Sequence, residues 1–181
     1  RGSSTSISVV TSPQKLARYH QVLWEQTERL SSLVERILEF SRVKRRHTSY
    51  EFERLDLTEL VRETVEAFQR SLEPEGFGIE VVGSGAPIVW ADPAALEQAL
   101  VNLLDNAVRY SGESRSIRVD VSAGPSAATI AVTDRGIGIP ADERPHIFDR
   151  FYRGSGATMN RHGFGLGLAI CAELVAAHGG R

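Results

Sequence analysis

The chain has 181 residues, of which 41% are hydrophobic and 24% are charged. This composition is typical of one or two folded domains and argues against a disordered or fibrous chain. With 21 basic and 23 acidic side chains the formal net charge is -2, so no global charge directs the chain to nucleic acid or an anionic membrane, and we expect no nucleic-acid partner.

The single cysteine, Cys171, excludes an intrachain disulfide framework and favours a reducing compartment, so we expect a cytoplasmic location. No apolar run approaches the roughly 18 residues that a membrane helix needs. The first residues also lack the pattern of a signal peptide. Membrane attachment is therefore expected only through segments upstream of this chain.

The first predicted element is one long helix. Ser12 and Pro13 are typical of an N-cap and a first helical residue, and no glycine or proline follows until after Arg46. Its apolar residues recur at heptad spacing, which resembles the seam of a helical bundle or coiled coil and predicts a partner helix. The alternative is an amphipathic helix packed on its own domain. The repeating residues are Leu16, Leu23, Leu30 and Ile37.

A connector is predicted from His47 to Arg54, before a second domain. Asp56 and Glu59 form an acidic variant of the capping box, which predicts a helix from there to about Leu72. We accordingly divide the chain into a helical region, residues 1–48, and a second domain, residues 49–181.

Strands and helices then alternate. Strand patterns occupy Gly78 to Val82 and the short run from Ile88 to Trp90. Asp92 and Pro93 cap a helix that reaches Tyr110, and its predicted buried side carries Leu96, Leu100, Leu103 and Leu104.

Two further strands are predicted from alternating apolar residues on either side of a turn at Gly124 and Pro125. A final helix runs from Leu168 to about His178. We therefore expect an α+β fold, with helices and antiparallel strands in two layers. The alternating apolar residues are Ile117, Val119 and Val121 in one strand, and Ile130 and Val132 in the other.

Three common kinds of site are excluded. Neither Lys15 nor Lys44 follows a glycine, so there is no P-loop. The glycines from Gly163 to Gly167 do not match a dinucleotide fingerprint. The histidines and the single cysteine are scattered at spacings that match no zinc motif.

The first of four segments with a chemical signal is residues 102–110. Its polar side chains lie three or four positions apart on the predicted helix, so they share one face. An asparagine oxygen is a suitable hard ligand for Mg²⁺, which takes few protein ligands. The side chains are Asn102, Asn106, Arg109 and Tyr110.

The second segment, residues 134–140, follows a predicted strand and begins with Asp134. A carboxylate can accept a hydrogen bond from the exocyclic amine of adenine, whereas guanine presents a carbonyl group at that position. Gly136 and Gly138, next to Ile139, allow the backbone to approach a base closely. An ordinary strand-to-loop turn is the alternative interpretation.

The third segment, residues 147–153, is aromatic and ends at Arg153. A glycine-containing stretch after it is predicted to be a flexible lid. The fourth segment, residues 163–170, leads directly into the last helix, where backbone amides can bind phosphate without a charged side chain. Its candidate residues are Gly163, Phe164, Gly165, Leu166, Gly167 and Leu168.

In this order and spacing, the four segments closely resemble the N box, first glycine box, F box and second glycine box of the histidine-kinase branch of the Bergerat-fold ATPases. That superfamily includes gyrase and the heat-shock chaperone ATPases. The resemblance covers about residues 56–181 and implies a two-layer α/β sandwich that binds ATP or ADP with Mg²⁺. It implies that Asn106 is the metal ligand, that Asn102 and Arg109 serve the phosphates, that Tyr110 flanks the nucleotide, and that Asp134 reads adenine.

One departure separates the branches of this superfamily. Gyrase-type relatives carry a glutamate one turn before the metal asparagine, whereas this chain has Asn102, which cannot act as a general base. The resemblance therefore implies slow hydrolysis and a histidine acceptor. The family's His-Glu/Asp-x-x-Thr-Pro motif is not found, and His20 is interpreted as a structural residue. Residues 1–48 would then be mainly the second helix of a dimerisation and phosphotransfer domain, and the C-terminal strands of the catalytic domain are expected to lie beyond Arg181.

The resemblance implies the ATP-binding catalytic part of a bacterial sensor histidine kinase, the cytoplasmic part of an inner-membrane sensor. Its partners would be a second copy of the chain, joined through the helical bundle, and a response regulator. Two alternatives remain: a non-catalytic nucleotide-binding signalling module, and a serine/threonine kinase of the anti-sigma type.

Overall fold

In a computed structural model of the protein, the described residues are 50–154 and 164–181, together with Arg18, Tyr19, Val22, Trp24 and Gln26. Those five residues are helical. The rest of the predicted long helix, including its heptad stripe, lies outside the described residues, as do His20 and Gly163. The two main stretches belong to one compact unit, Glu39–Arg181.

The domain begins with a strand that the sequence did not indicate. Strand β1, Glu53–Asp56, pairs antiparallel with β3, Ile88–Ala91, and Leu55 lies opposite Val89. The predicted connector therefore ends earlier than Arg54. The local pattern of β1 is short and mostly charged, and its backbone becomes a strand because β3 supplies the hydrogen-bonding partner.

Helix α1, Leu57–Leu72, follows directly and confirms the predicted helix. The Oδ1 atom of Asp56 accepts hydrogen bonds from the backbone amides of Thr58 and Glu59, at 2.9 and 3.2 Å. This satisfies two of the amides that a helix start leaves without intrahelical partners. The buried stripe of α1 includes Leu57, Leu60, Val61 and Val65.

A three-stranded sheet has the order β2-β4-β5, with β2 at Gly78–Ser84, β4 at Ser116–Ala123 and β5 at Ala128–Thr133. Strands β4 and β5 are antiparallel, as predicted, but β2 and β4 are parallel. The expectation of antiparallel strands is wrong for this pair. The chain passes through β3 and a long helix between them, and such a crossover returns the next strand in the same direction.

That helix is α2, Pro93–Tyr110, and Asp92 caps it by accepting from the amide of Ala95 at 3.0 Å. Together with α1 it covers one face of the sheet. Leu100 and Leu104 are fully buried against Ile117, Val119 and Val121 of β4, and each such side chain contributes about 1.5–3 kcal/mol. The predicted leucine side is confirmed, with Leu96 and Leu103 partly buried.

The last helix, α3, spans Gly167–Ala177 and packs against α2. A second apolar cluster joins the two helices and includes Ala95, Ala99, Leu166, Ile170 and Leu174. Within the described part of the chain, no helix combines the length and the apolar character of a membrane span. Residues 50–154 and 164–181 thus form helices packed with a mixed three-stranded sheet and a separate β1–β3 pair, and the α+β class predicted from the sequence is confirmed.

Candidate functional site

The end of α2 is hydrogen-bonded to the first glycine segment, residues 134–140. The amide of Ile137 donates to the carbonyl oxygen of Tyr110 at 3.1 Å. A Cβ atom on Gly136 would lie 2.0 Å from the same oxygen, far inside any normal contact distance. Only glycine permits this close approach. The contact joins two of the segments predicted to form the site, residues 102–110 and residues 134–140.

Asp134 starts a tight turn at the end of β5. Its Oδ1 atom accepts from the amide of Gly136 at 2.8 Å, and the side chain is exposed. Gly138 has a φ of 70°, a left-handed conformation that favours glycine. The next residue, Ile139, is 44% exposed, and its carbonyl oxygen accepts from Nε of Arg144 at 3.2 Å. The turn thus presents a carboxylate and apolar side chains to solvent.

Asn102 and Gly167 meet where α2 passes the start of α3. A Cβ atom on Gly167 would lie 3.6 Å from Oδ1 of Asn102. The Nδ2 atom of Asn102 is buried and has no hydrogen-bond partner among the described residues. An unpaired buried amide is costly, by about 1–3 kcal/mol, so this amide group is well placed for an acceptor that arrives with a ligand.

Helix α3 starts without a side-chain cap. Its N-cap residue is the buried Leu166, and the first intrahelical bond runs from the amide of Ile170 to the carbonyl oxygen of Leu166 at 2.9 Å. The amides of Gly167, Leu168 and Ala169 precede that bond and have no intrahelical acceptor. Such a helix start attracts anions through these amides and through the helix dipole.

The aromatic segment, residues 147–153, contacts the second glycine segment. The amide of Phe151 donates to the carbonyl oxygen of Gly165 at 2.8 Å. Gly165 has a φ of 67°, and a Cβ atom there would lie 2.4 Å from the carbonyl oxygen of Tyr152. Phe151 has a φ of 65°, which is unusual for a side chain of this size. Phe148 and Phe151 are exposed.

An ion pair between Arg150 and Glu173 further ties this aromatic segment to α3. The sequence alone gives no signal for this pair. The two residues are far apart in the chain, and each alone looks like an ordinary charged surface residue. The partial burial of Glu173, whose side chain is 20% exposed, appears only once α3 is packed.

Tyr152 shows the acidic character of the neighbouring loop. Desolvation, assisted by the carboxylates of Glu143, Asp142 and Asp149, raises the pKa of its phenol. Its ring also packs at 5.7 Å from the ring of His146. Three carboxylates therefore act on this phenol, two from the preceding loop and one, Asp149, from the aromatic segment itself.

The donor set fits Mg²⁺ held chiefly by phosphate oxygens and water. No group of three or more histidine, cysteine or acidic residues that could hold a metal occurs within residues 50–154 and 164–181. Asn106 is half-buried one helical turn after Asn102, and its amide oxygen is a hard ligand of the kind Mg²⁺ accepts. Arg109 forms an ion pair with Asp105 at 2.8 Å and is 17% exposed.

The predicted residues are thus brought together at three junctions: Tyr110 with residues 136–137, Asn102 with Gly167, and Phe151 with Gly165. Phe164 is half-buried against the cluster between α2 and α3. Arg153 is exposed at the end of the aromatic segment. The predicted lid between Arg153 and Gly163 lies almost wholly outside the described residues.

Comparisons with known proteins agree with the family resemblance stated from the sequence. Residues 91–181 match the family described as histidine kinase-, DNA gyrase B-, and HSP90-like ATPase. The histidine-protein kinase/phosphatase MprB of Mycobacterium sp. (strain KMS) is 38% identical over 86% of this chain and 29% of its own length. A structure of full-length ShkA in complex with AMPPNP has a TM-score of 0.73 at 30% identity, over 95% of this chain and 35% of that one.

The histidine kinase ThkA in complex with the response regulator protein TrrA has a TM-score of 0.70 at 24% identity, over 94% of this chain and 47% of that one, and shares the fold. The chain spans between 18% and 34% of the length of the curated relatives described by these matches. It belongs to the histidine kinase-, DNA gyrase B- and HSP90-like ATPase family. Its relatives include sensor histidine kinases, so the resemblance predicted from the four segments is confirmed.

Proposed function

We propose that this chain is the ATP-binding catalytic portion of a two-component sensor histidine kinase. It would transfer the γ-phosphoryl group of ATP to a histidine on a helical bundle, from which a response regulator takes it. The observation that carries this proposal is the junction of Asn102 and Gly167. There, an unpaired buried amide group lies beside a helix start whose first amides have no intrahelical acceptor.

The residues at this junction can bind the phosphates of ATP. Amides at the start of α3 would donate to phosphate oxygens, and Nδ2 of Asn102 would gain the acceptor that it lacks. Mg²⁺, held by Asn106 together with phosphate and water oxygens, would neutralise charge on the transferred group. At the other end of the nucleotide, the free oxygen of Asp134 would accept the adenine amine while Oδ1 keeps the amide of Gly136.

The same junction favours transfer to a protein side chain over hydrolysis. A water-activating base is needed for rapid hydrolysis, and the amide of Asn102 cannot supply one. Catalysis would then rest on positioning and charge stabilisation, with an imidazole as the nucleophile. His20 has no adjacent acid in the sequence, so we do not assign it as that nucleophile.

We further propose a homodimer through the predicted helix of residues 13–46, in the cytoplasm. The heptad stripe of this helix supports self-association because it would otherwise expose leucines to water. The fold shared with ThkA, which is known in complex with TrrA, supports a response regulator as the partner. The absence of paired cysteines supports a reducing compartment.

Calorimetry with ADP and GDP in the presence of Mg²⁺ tests the nucleotide site. We expect ADP to bind and GDP to bind much more weakly. Asp134→Ala should weaken ADP binding by about 1–3 kcal/mol, because it leaves the adenine amine without an acceptor. Asp134→Asn keeps an oxygen for the amide of Gly136, so a similar loss in this variant would assign the effect to base recognition rather than to the turn.

Asp120→Asn is a matched control, because Asp120 lies on the outer face of β4 and pairs with Arg118. It should leave ADP affinity unchanged. ADP affinity that is equal in the wild-type chain and in both Asp134 variants would contradict the assignment of the adenine site.

Incubation with γ-labelled ATP tests the transfer step. We expect this chain to release phosphate slowly and to form little acid-labile phosphoprotein. A version extended upstream to include the family's acceptor helix should become labelled on histidine. Strong labelling of the present chain at His20 would contradict this division of roles, and absence of transfer in the extended version would favour the non-catalytic alternative.

A further inference from the structure

His178, just after α3, is bound through both nitrogens of its ring. The amide of Asp92 donates to Nε2 at 3.0 Å, and Nδ1 lies 2.7 Å from the carbonyl oxygen of Leu174. A backbone amide can only donate and a carbonyl oxygen can only accept. Nε2 is therefore the acceptor and Nδ1 the donor, which places the ring proton on Nδ1.

Asp92 binds the segment through which the chain enters the domain, residues 50–52. Its side chain is buried at 4% exposure, and its two carboxylate oxygens have separate partners. Oδ1 accepts from the amide of Ala95 at the start of α2, and Oδ2 accepts from the amide of Glu51, each at 3.0 Å. Asp92 thus holds the start of α2 and the backbone of the entering segment at the same point.

The entering segment, residues 50–52, also packs on His178 through two aromatic rings. The ring of Tyr50 lies 5.4 Å from the imidazole at an edge-on angle of 63°, and the ring of Phe52 lies 4.9 Å from it. Tyr50 additionally packs against the cluster between α2 and α3. Residues 50–52 are therefore bound before the first strand begins at Glu53.

The same two helices also carry the candidate nucleotide site, at other positions along their lengths. His178 and Asp92 lie at the end of α3 and the start of α2, whereas Gly167 and Asn102 lie at the start of α3 and farther along α2. About 15 Å of α2 separates Asp92 from Asn102. The residues that bind the entering segment are thus distinct from those that would touch nucleotide.

We propose that His178 is a positioning residue which, together with Asp92, clasps residues 50–52 and sets the point where the connector joins the catalytic domain. With the clasp closed, residues 50–52 are held on the catalytic domain. With it open, residues 50–52 join the connector and lengthen it by up to about 10 Å, because an extended residue spans roughly 3.3–3.6 Å.

The length of the connector matters for an enzyme whose nucleotide and acceptor histidine lie in different domains. A longer connector lowers the effective concentration of one domain at the other, so the clasp would tune the rate of transfer. This consequence rests on the proposed function. The clasp itself rests only on the contacts of His178 and Asp92, and it can be tested without phosphoryl transfer.

Limited digestion with chymotrypsin, which cuts after aromatic residues, tests the clasp. Cleavage after Tyr50 and Phe52 should be slow in the wild-type chain and about tenfold faster in His178→Phe, which keeps a ring but loses both hydrogen bonds. Cleavage after the exposed Phe148 is the internal reference and should not change. His146→Gln, at an exposed histidine paired with Asp149, is the matched control and adds no aromatic residue beside Phe148.

Two spectroscopic readouts separate positioning from a merely structural role. Nitrogen NMR should find the proton of His178 on Nδ1, and amide exchange at Glu51 and Asp92 should accelerate in His178→Phe while Val119 of the core stays protected. In His178→Gln the side-chain oxygen can replace Nε2 as acceptor, so protection of the Asp92 amide should return.

A proton on Nε2 of His178, or equal cleavage after Tyr50 in the wild-type chain and His178→Phe, would overturn the proposal. ADP titration of the same samples tests the proposed nucleotide site separately from the clasp. Slow cleavage without ADP binding contradicts the nucleotide site and supports the clasp. Rapid cleavage of the wild-type chain after Tyr50 with normal ADP binding contradicts the clasp alone.

Discussion

The carbonyl oxygen of Tyr110 accepts a hydrogen bond from the amide of Ile137 at 3.1 Å. This bond joins the last residue of α2 to the turn that begins with Asp134. The turn that carries Asp134, the residue proposed to bind adenine, is therefore bonded to α2. The same helix carries Asn102 and Asn106, which we place at the phosphates and the metal. The relative positions of the base and phosphate ends of the site then depend on one rigid element.

Gly136→Ala should destabilise the domain at this junction. The added Cβ atom would lie 2.0 Å from the carbonyl oxygen of Tyr110, so the turn must move away from α2. We expect a loss of about 1–3 kcal/mol in the free energy of unfolding, measured with urea. Gly78→Ala is the matched control, because its Cβ atom would meet only the carbonyl oxygen of Arg115, at 4.0 Å. Equal stability of the two variants would show that the turn is not held against α2.

Gly165→Ala should cost more than Gly179→Ala, although both glycines have a φ near 70°. Each variant places a side chain in the left-handed region, which costs about 1–2 kcal/mol. Only at Gly165 would the Cβ atom also collide with backbone, 2.4 Å from the carbonyl oxygen of Tyr152. Thermal unfolding followed by circular dichroism should show the larger drop for Gly165→Ala, and a larger drop for Gly179→Ala would contradict this contact.

Cys171 should make stability depend on alkaline pH. Burial raises the pKa of its thiol from 9.0 to about 11. The folded state therefore keeps its proton where the unfolded state loses it, so this contribution to stability is complete below pH 9 and is lost as the pH rises toward 11. The loss should reach about 3 kcal/mol relative to Cys171→Ala. Urea unfolding at a series of pH values measures it, and parallel curves for the two proteins would refute it.

Glu173→Gln should destabilise the domain more than Asp120→Asn. The two arginines are similarly exposed, Arg150 at 45% and Arg118 at 49%, but Glu173 is 20% exposed whereas Asp120 is 36% exposed. Loss of a charged hydrogen bond at a partly buried site costs about 1–2 kcal/mol, whereas an exposed pair contributes well under 1 kcal/mol. Chemical unfolding of both variants makes the comparison, and an equal or reversed order would exclude a stabilising role for the pair with Arg150.

Most elements of the domain could be predicted because their signals are local. Asp92 and Pro93 mark the start of α2, and Ile117, Val119 and Val121 alternate along β4, since one face of that strand meets the helices. Strand β1 escaped prediction because its residues acquire a strand conformation only by pairing with β3. The parallel direction of β4 relative to β2 was not predicted for a related reason, because it depends on the path of the chain between the two strands.

The sequence by itself determined the residue types of the candidate site, because an amide metal ligand, a carboxylate for an amine and glycines for close backbone approach are properties of single residues and short segments. Only the tertiary structure decided which of them meet. Packing of α3 on α2 places Gly167 against Asn102 and binds His178 to Asp92. Those contacts join residues far apart in the chain, and they form because burying the apolar faces of α2 and α3 brings the polar groups at the rims of these helices together.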